Sequence, residues 1–260
     1  MLFSDHPRTR YENAPAYEVI CQLRFPPILT INEAPPAKFQ EAVRAQFPQY
    51  VQRQDPVPPG PGGKAGKMVN NYHFLSEDGA WKLNLTQEFI ALSTLRYAGW
   101  EDFAQRLDKP LAAFIQLHQP AYFQRVGLRY VNFFSRKALG LENTPWAALF
   151  TSAYTGPLQE EDVREESFAA CGLDFVVRLD SSCAAKIHAG PGLIRHPAPK
   201  DQPQDQEQKF ILDMDLSMGG SVPPSLAAGA METLHGHAGR IFEGAVTDFL
   251  REAMGPQDNG

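Results

Sequence analysis

The chain has 260 residues, of which 43% are hydrophobic, and its formal net charge is −6. This hydrophobic content is enough to form a buried core without disulfide bonds. The acidic balance opposes broad electrostatic attraction to nucleic acid, and no run approaches the roughly 18 consecutive apolar residues of a membrane span. We therefore expect a soluble protein that does not bind membranes and for which nucleic acid is a disfavoured partner.

The three cysteines, Cys21, Cys171 and Cys183, are odd in number, widely spaced and outside any C-x-x-C pattern. Such spacing is not typical of a disulfide framework or of a thiolate metal site. A reducing compartment suits this usage, and we expect the protein to be cytoplasmic.

The first half of the chain predicts the element order β-α-β-β-β-α. Apolar residues alternate with more polar ones from Val19 to Phe25, which is typical of a strand with one packed face. Pro35-Pro36 then precedes an apolar residue at every fourth position, which predicts a short amphipathic helix. Three strands and a longer amphipathic helix follow, at 71–76, 81–89, 90–97 and from residue 100 onward.

The second half predicts the same order. A strand is expected at 122–134, a helix from the cap Thr144 to about Ala153, three strands at 167–180, 182–188 and 209–217, and a long terminal helix. The two opening strands share a Leu-Arg-aromatic sequence, at 23–25 and 128–130. We therefore predict one α+β domain, residues 1–260, with pseudo-duplicated halves at about 10–119 and 120–256. An antiparallel sheet would be covered by helices.

Two segments, 56–67 and 198–208, are rich in proline, glycine or polar residues, which predicts mobile loops. Residues 62–67 invite comparison with a phosphate-binding loop. The match fails because the glycine spacing is one residue short and Met68 stands where Ser or Thr is required.

Three segments carry a family resemblance: Glu18 to Pro26, Gly127 to Asn132, and Leu234 to Glu243. They resemble a sporadically distributed bacterial family of uncharacterised proteins, over nearly the whole chain. The resemblance implies an accessory role, such as defence, and provides no activity or catalytic residues to carry over to this chain. The element order is also similar to saddle-like folds of the TATA-binding-protein kind and to helix-grip folds, which host many functions.

Several charged residues fall on the strand faces opposite the packed ones. The ligand-binding candidates are Glu18, Arg24, Arg96, Arg125 and Arg129. If their strands are neighbours, the guanidinium groups and the carboxylate could form a polar groove for an anion or an acidic peptide. The alternative is that they form cross-strand salt bridges on a half-buried sheet face.

The sequence favours neither a metal nor another cofactor. Asp213 and Asp215 supply too few oxygen ligands for a calcium or magnesium shell. His235 and His237, two residues apart in the terminal helix, point to different faces and cannot readily share an ion.

The leading hypothesis for function is a non-catalytic binding protein, because no nucleophile or nucleotide-binding motif is present. Its Arg-rich sheet face, or a groove, would be presented to a protein or a small anionic ligand. The alternative is an enzyme of unrecognised type acting on nucleotides or nucleic acid, whose charged groups, Glu18, Arg129, Asp213 and Asp215, meet only in three dimensions.

Overall fold

The computed structural model describes residues 1–56, 68–194 and 206–257. Most of the two predicted loops, 57–67 of the first and 198–205 of the second, lies outside the described residues.

The first part of the chain forms six strands and three helices. They are β1 (Arg10–Tyr11), β2 (Ala16–Arg24), α1 (Thr30–Glu33), α2 (Ala37–Val43), β3 (Gln49–Pro56), β4 (Met68–Leu75), β5 (Trp81–Leu85), β6 (Phe89–Thr94) and α3 (Trp100–His118). The remainder forms β7 (Phe123–Phe134), α4 (Trp146–Leu149), α5 (Ser152–Thr155), β8 (Leu173–Arg178), β9 (Cys183–Leu193), β10 (Gln208–Val222), α6 (Ala227–Ala245), α7 (Asp248–Ala253) and β11 (Pro256–Gln257).

The strands form a nine-stranded sheet in the order β3-β4-β5-β6-β2-β7-β10-β9-β8, and β1 pairs with β11. The pairs β2–β6, β3–β4, β4–β5, β5–β6 and β8–β9 are antiparallel. The prediction of an α+β protein with a mainly antiparallel sheet is therefore confirmed.

Several local features differ from the sequence predictions. The predicted terminal helix is interrupted at residues 246–247 between α6 and α7, and the strand predicted at 167–180 is limited to Leu173–Arg178. Strand β3 was not predicted, because its polar residues are almost all exposed on both faces and leave no apolar alternation. The predicted helix at 144–153 is two short helices, since Phe150 adopts an extended conformation between α4 and α5.

The chain divides into two compact units. The first comprises Glu18–Leu128 and Ser217–Leu234. In it, the ring of Phe25 lies 4.7 Å from that of Phe114 in α3, and Cys21 lies 3.3 Å from the sulfur of Met231 in α6. Burial raises the pKa of the Cys21 thiol to about 12, so this cysteine is an inert core residue.

The second unit comprises Met1–Tyr17, Arg129–Leu216 and His235–Gly260. Its core stacks Phe150 on Phe210, with ring centroids 3.7 Å apart. The buried carboxylate of Glu243 accepts hydrogen bonds from Arg251 Nε at 2.9 Å and from the Tyr11 hydroxyl at 3.1 Å. These contacts tie the N-terminal strand to helices α6 and α7.

The two central strands of the second unit alternate between a packed and a polar face. On β7 the side chains of Tyr130, Asn132 and Phe134 are buried, as are Phe210, Leu212, Met214 and Leu216 on β10. The intervening residues of both strands are half-buried or exposed. This alternation places the charged residues of β7 and β10 on one side of the sheet.

Candidate functional site

The structure places Arg24 and Arg96 in separate ion pairs of the first unit. Exposed Arg24 lies 3.3 Å from Glu88, and exposed Arg96 lies 2.7 Å from Asp78. In the β2–β6 ladder, Arg24 lies opposite Phe89 at one end. Arg96 follows Thr94, which lies at the other end. The six residues of strand from Val19 to Arg24 alone span about 17 Å, so these two arginines do not converge.

Asp78, the partner of Arg96, lines a shallow depression of about 400 Å³. Its other lining residues are Ser76, Glu77, Trp81 and Arg106. The Arg106 guanidinium lies 4.5 Å from the centroid of the Trp81 ring, so a cation–π contact already occupies the aromatic face.

Glu18 and Arg125 are half-buried on β2 and β7. The guanidinium group of Arg125 lies directly over Gly127, where a β-carbon would collide with it. The absence of a side chain at Gly127 is what gives Arg125 this position. The ligand-binding roles of Glu18, Arg24, Arg96 and Arg125 stay predictions.

Arg129 and Asp213 form a two-point ion pair in the second unit. Arg129 Nε lies 2.8 Å from Asp213 Oδ1, and Nη2 lies 2.5 Å from Oδ2. The Arg129 side chain is 45% exposed and that of Asp213 is 21% exposed. Two parallel hydrogen bonds fix the orientation of both groups, so the structure does bring together this arginine and one of the carboxylates singled out in the sequence.

A mixed surface surrounds this pair, which we call the β7–β10 patch. It consists of alternate residues of the two strands: Arg129, Val131 and Phe133 of β7, and Lys209, Ile211 and Asp213 of β10. All are half-buried except Arg129, which is exposed. Phe133 stacks on Tyr17 with ring centroids 4.7 Å apart. The patch therefore combines both charge signs with aliphatic and aromatic surface.

A group of side chains with metal-ligand atoms was missed in the sequence. Asp180, Cys183 and His237 bring a carboxylate oxygen, a thiol sulfur and an imidazole nitrogen within 4.8 Å of one another. Among the described residues, this is the one such group with metal-binding potential. Fifty-seven residues separate Asp180 from His237, so only the Asp-x-x-Cys spacing was visible as a local signal.

His235 and His237 have different partners. His235 is buried against the Tyr130 hydroxyl at 2.7 Å, whereas His237 Nε2 lies 3.1 Å from Asp180 Oδ2. The two histidines therefore lie in different surroundings, although both belong to helix α6.

No described helix has the length and apolar character needed to cross a membrane. No family model, curated protein or solved structure matches the chain. The family resemblance of the three sequence segments therefore stays a prediction.

Proposed function

We propose that the protein is a non-catalytic binding protein that docks another protein on the β7–β10 patch. The observation that carries this proposal is the Arg129–Asp213 pair, held at two points and yet exposed on the arginine side. Arginine and aromatic residues are enriched at protein interfaces. The aliphatic and aromatic residues beside the pair provide apolar area for such an interface.

A protein partner suits this patch better than a small anion. Asp213 already takes two N–H groups of the Arg129 guanidinium and offsets its charge, which weakens the attraction of this site for a small anion. A protein can instead contact both members of the pair, with an acidic residue near Arg129 and a basic residue near Asp213. Such complementarity gives specificity and fixes the register of docking.

We also propose that the scaffold is pseudo-duplicated, of the saddle-like or helix-grip-like kind. The strand order supports this. In the first half the opening strand β2 lies beside β6, which is the last of the three consecutive strands β4, β5 and β6. In the second half the opening strand β7 lies beside β10, which is the last of β8, β9 and β10. A cytoplasmic location is part of the same proposal and is supported by three cysteines that are all unpaired.

The docking site can be tested by placing a photo-crosslinking amino acid at Val131 or at Ile211 and irradiating cells of the native host. Both positions should capture the same protein. The matched control is Val176, an aliphatic residue of β8 that is 69% exposed. Capture of that protein from Val176 as efficiently as from the patch would contradict the proposed site.

The charge pair can be tested with a swap, Arg129→Asp combined with Asp213→Arg. The swap keeps an ion pair, so the free energy of unfolding should be nearly unchanged. It reverses the charge that each position presents to the partner, so binding of the captured protein should fall at least about tenfold. Arg129→Met should weaken binding similarly and change the free energy of unfolding by less than about 1 kcal/mol, because the pair is partly solvated.

Two outcomes would overturn the proposal. One is wild-type binding by the swapped variant. The other is a rise in melting temperature with inorganic phosphate that the Arg129→Met variant lacks, since that would assign Arg129 to a small anion.

A further inference from the structure

The turn between β8 and β9 holds the carboxylate of Asp180 in a fixed orientation. Its Oδ1 atom accepts hydrogen bonds from the backbone N–H groups of Ser182 and Cys183, both at 2.7 Å, and from the Ser182 hydroxyl at 3.0 Å. Its Oδ2 atom faces Nε2 of His237 in helix α6 at 3.1 Å. One oxygen therefore organises the turn while the other faces an imidazole.

We propose that Asp180, Cys183 and His237 bind a zinc-type transition-metal ion, with water as a fourth ligand. Thiolate, imidazole and carboxylate are the ligand types that zinc and cobalt take, whereas calcium and magnesium take oxygen ligands only. Three protein ligands and one open position are typical of zinc sites that exchange a ligand.

The spacing of the three donor atoms suits such an ion. Ligand atoms of a tetrahedral zinc site lie about 3.3 to 3.7 Å apart, given zinc–ligand bonds of about 2.0 to 2.3 Å. The Asp180–His237 separation of 3.1 Å is already close to this value. All separations are within 4.8 Å, so closure needs a shift of about 1 Å, which a small side-chain rotation supplies.

The surroundings of the three residues leave a path for an ion and help to hold the ligands in place. The side chains of His237 and Asp180 are 19% and 38% exposed, which leaves a route for an ion, whereas Cys183 is buried. The backbone N–H groups of Ser182 and Cys183 fix the orientation of the Asp180 carboxylate. The Cys183 thiol must lose its proton to bind the ion.

Another histidine–carboxylate pair in the same unit shows what distinguishes this cluster. His188 Nδ1 lies 3.2 Å from Asp174 Oδ1 across β8 and β9, and both side chains are more exposed. That pair is not part of a three-donor group among the described residues. It therefore serves as a matched control for an ordinary surface ion pair.

The test is a titration of the metal-free full-length protein with Co²⁺, followed by absorption spectroscopy. One equivalent should produce a thiolate-to-cobalt charge-transfer band and the intense visible bands of tetrahedral cobalt, and Zn²⁺ should remove both by competition. Cys183→Ser should abolish the charge-transfer band, and His237→Ala should weaken cobalt binding more than about a hundredfold. Cys171→Ser and His188→Ala should leave the spectrum unchanged.

A melting experiment gives a second readout, because an ion that binds only the folded state raises the melting temperature. Zn²⁺ should do so for the wild type and for His188→Ala, and not for His237→Ala, which keeps the buried thiol in place. A wild-type protein with no charge-transfer band would overturn the proposal. So would a band that survives in a folded Cys183→Ser variant or disappears in Cys171→Ser.

Discussion

At the scale of single residues, burial determines the protonation state of the His235 side chain. It is 4% exposed, and its Nδ1 atom lies 2.7 Å from the Tyr130 hydroxyl. Burial, with a smaller contribution from the charge of Arg8, lowers the pKa of His235 from 6.5 to about 3. The imidazole is therefore neutral in the folded protein at neutral pH. Below pH 6.5 the unfolded chain binds a proton at His235 that the folded protein does not bind until about pH 3.

We predict that His235 makes the protein less stable in acid. The unfolded chain binds a proton at His235 below pH 6.5, and the folded protein does so only at about pH 3. The stabilisation is fully present above pH 6.5 and is lost as the pH falls toward 3, by up to about 1.4 kcal/mol per pH unit. Urea unfolding at a series of pH values measures this slope.

The variant that tests this prediction is His235→Leu, which should reduce the dependence of unfolding free energy on pH between about pH 3 and pH 6.5. An NMR titration in which His235 of the folded protein protonates close to its ordinary pKa would contradict this prediction.

At the scale of elements, helix α6 contains glycines with opposite surroundings. A β-carbon at exposed Gly236 would meet nothing within 4 Å, whereas one at buried Gly244 would lie 2.7 Å from the backbone oxygen of Leu2. Gly236 therefore only weakens the helix, while Gly244 permits the N-terminal segment to approach helix α6 closely.

We predict opposite effects of alanine at these two positions. Gly236→Ala should stabilise the protein by about 0.5 to 1 kcal/mol, because alanine loses less backbone entropy in a helix. Gly244→Ala should destabilise it by about 1 to 3 kcal/mol, because the backbone of Leu2 and Phe3 would have to shift away from the helix. Denaturant unfolding measures both, and a stabilising Gly244→Ala would show that the N-terminal segment does not pack on α6.

At the scale of the whole molecule, the boundaries of the two compact units fall inside regular elements. They lie between residues 17 and 18 in β2, between 128 and 129 in β7, between 216 and 217 in β10, and between 234 and 235 in α6. Each of these elements contributes residues to both units. Independent unfolding of one unit would therefore have to break three strands and a helix.

We predict that the protein unfolds in a single calorimetric transition, with a calorimetric enthalpy equal to the van't Hoff enthalpy. Gly244→Ala, which acts in the second unit only, should lower the temperature of the whole transition without splitting it. Two well-separated transitions in the wild type would show that the units are independent.

Sequence alone determined the features that depend on local periodicity. The alternation along β2, β7 and β10 and the helical spacing of α3 and α6 identified an α+β protein, because burial of one face imposes a period that is visible in the chain. The same alternation placed Arg129 and Asp213 on the polar sides of their strands.

Only the tertiary structure decided which of these residues meet. Arg129 and Asp213 are 84 residues apart, and the position of each strand in the sheet, rather than any local pattern, gives them their hydrogen bonds. Asp180, Cys183 and His237 come together for the same reason, since a turn and a distant helix supply the three donor atoms. Strand β3 became visible only through its pairing with β4, because a polar edge strand carries no hydrophobic period of its own.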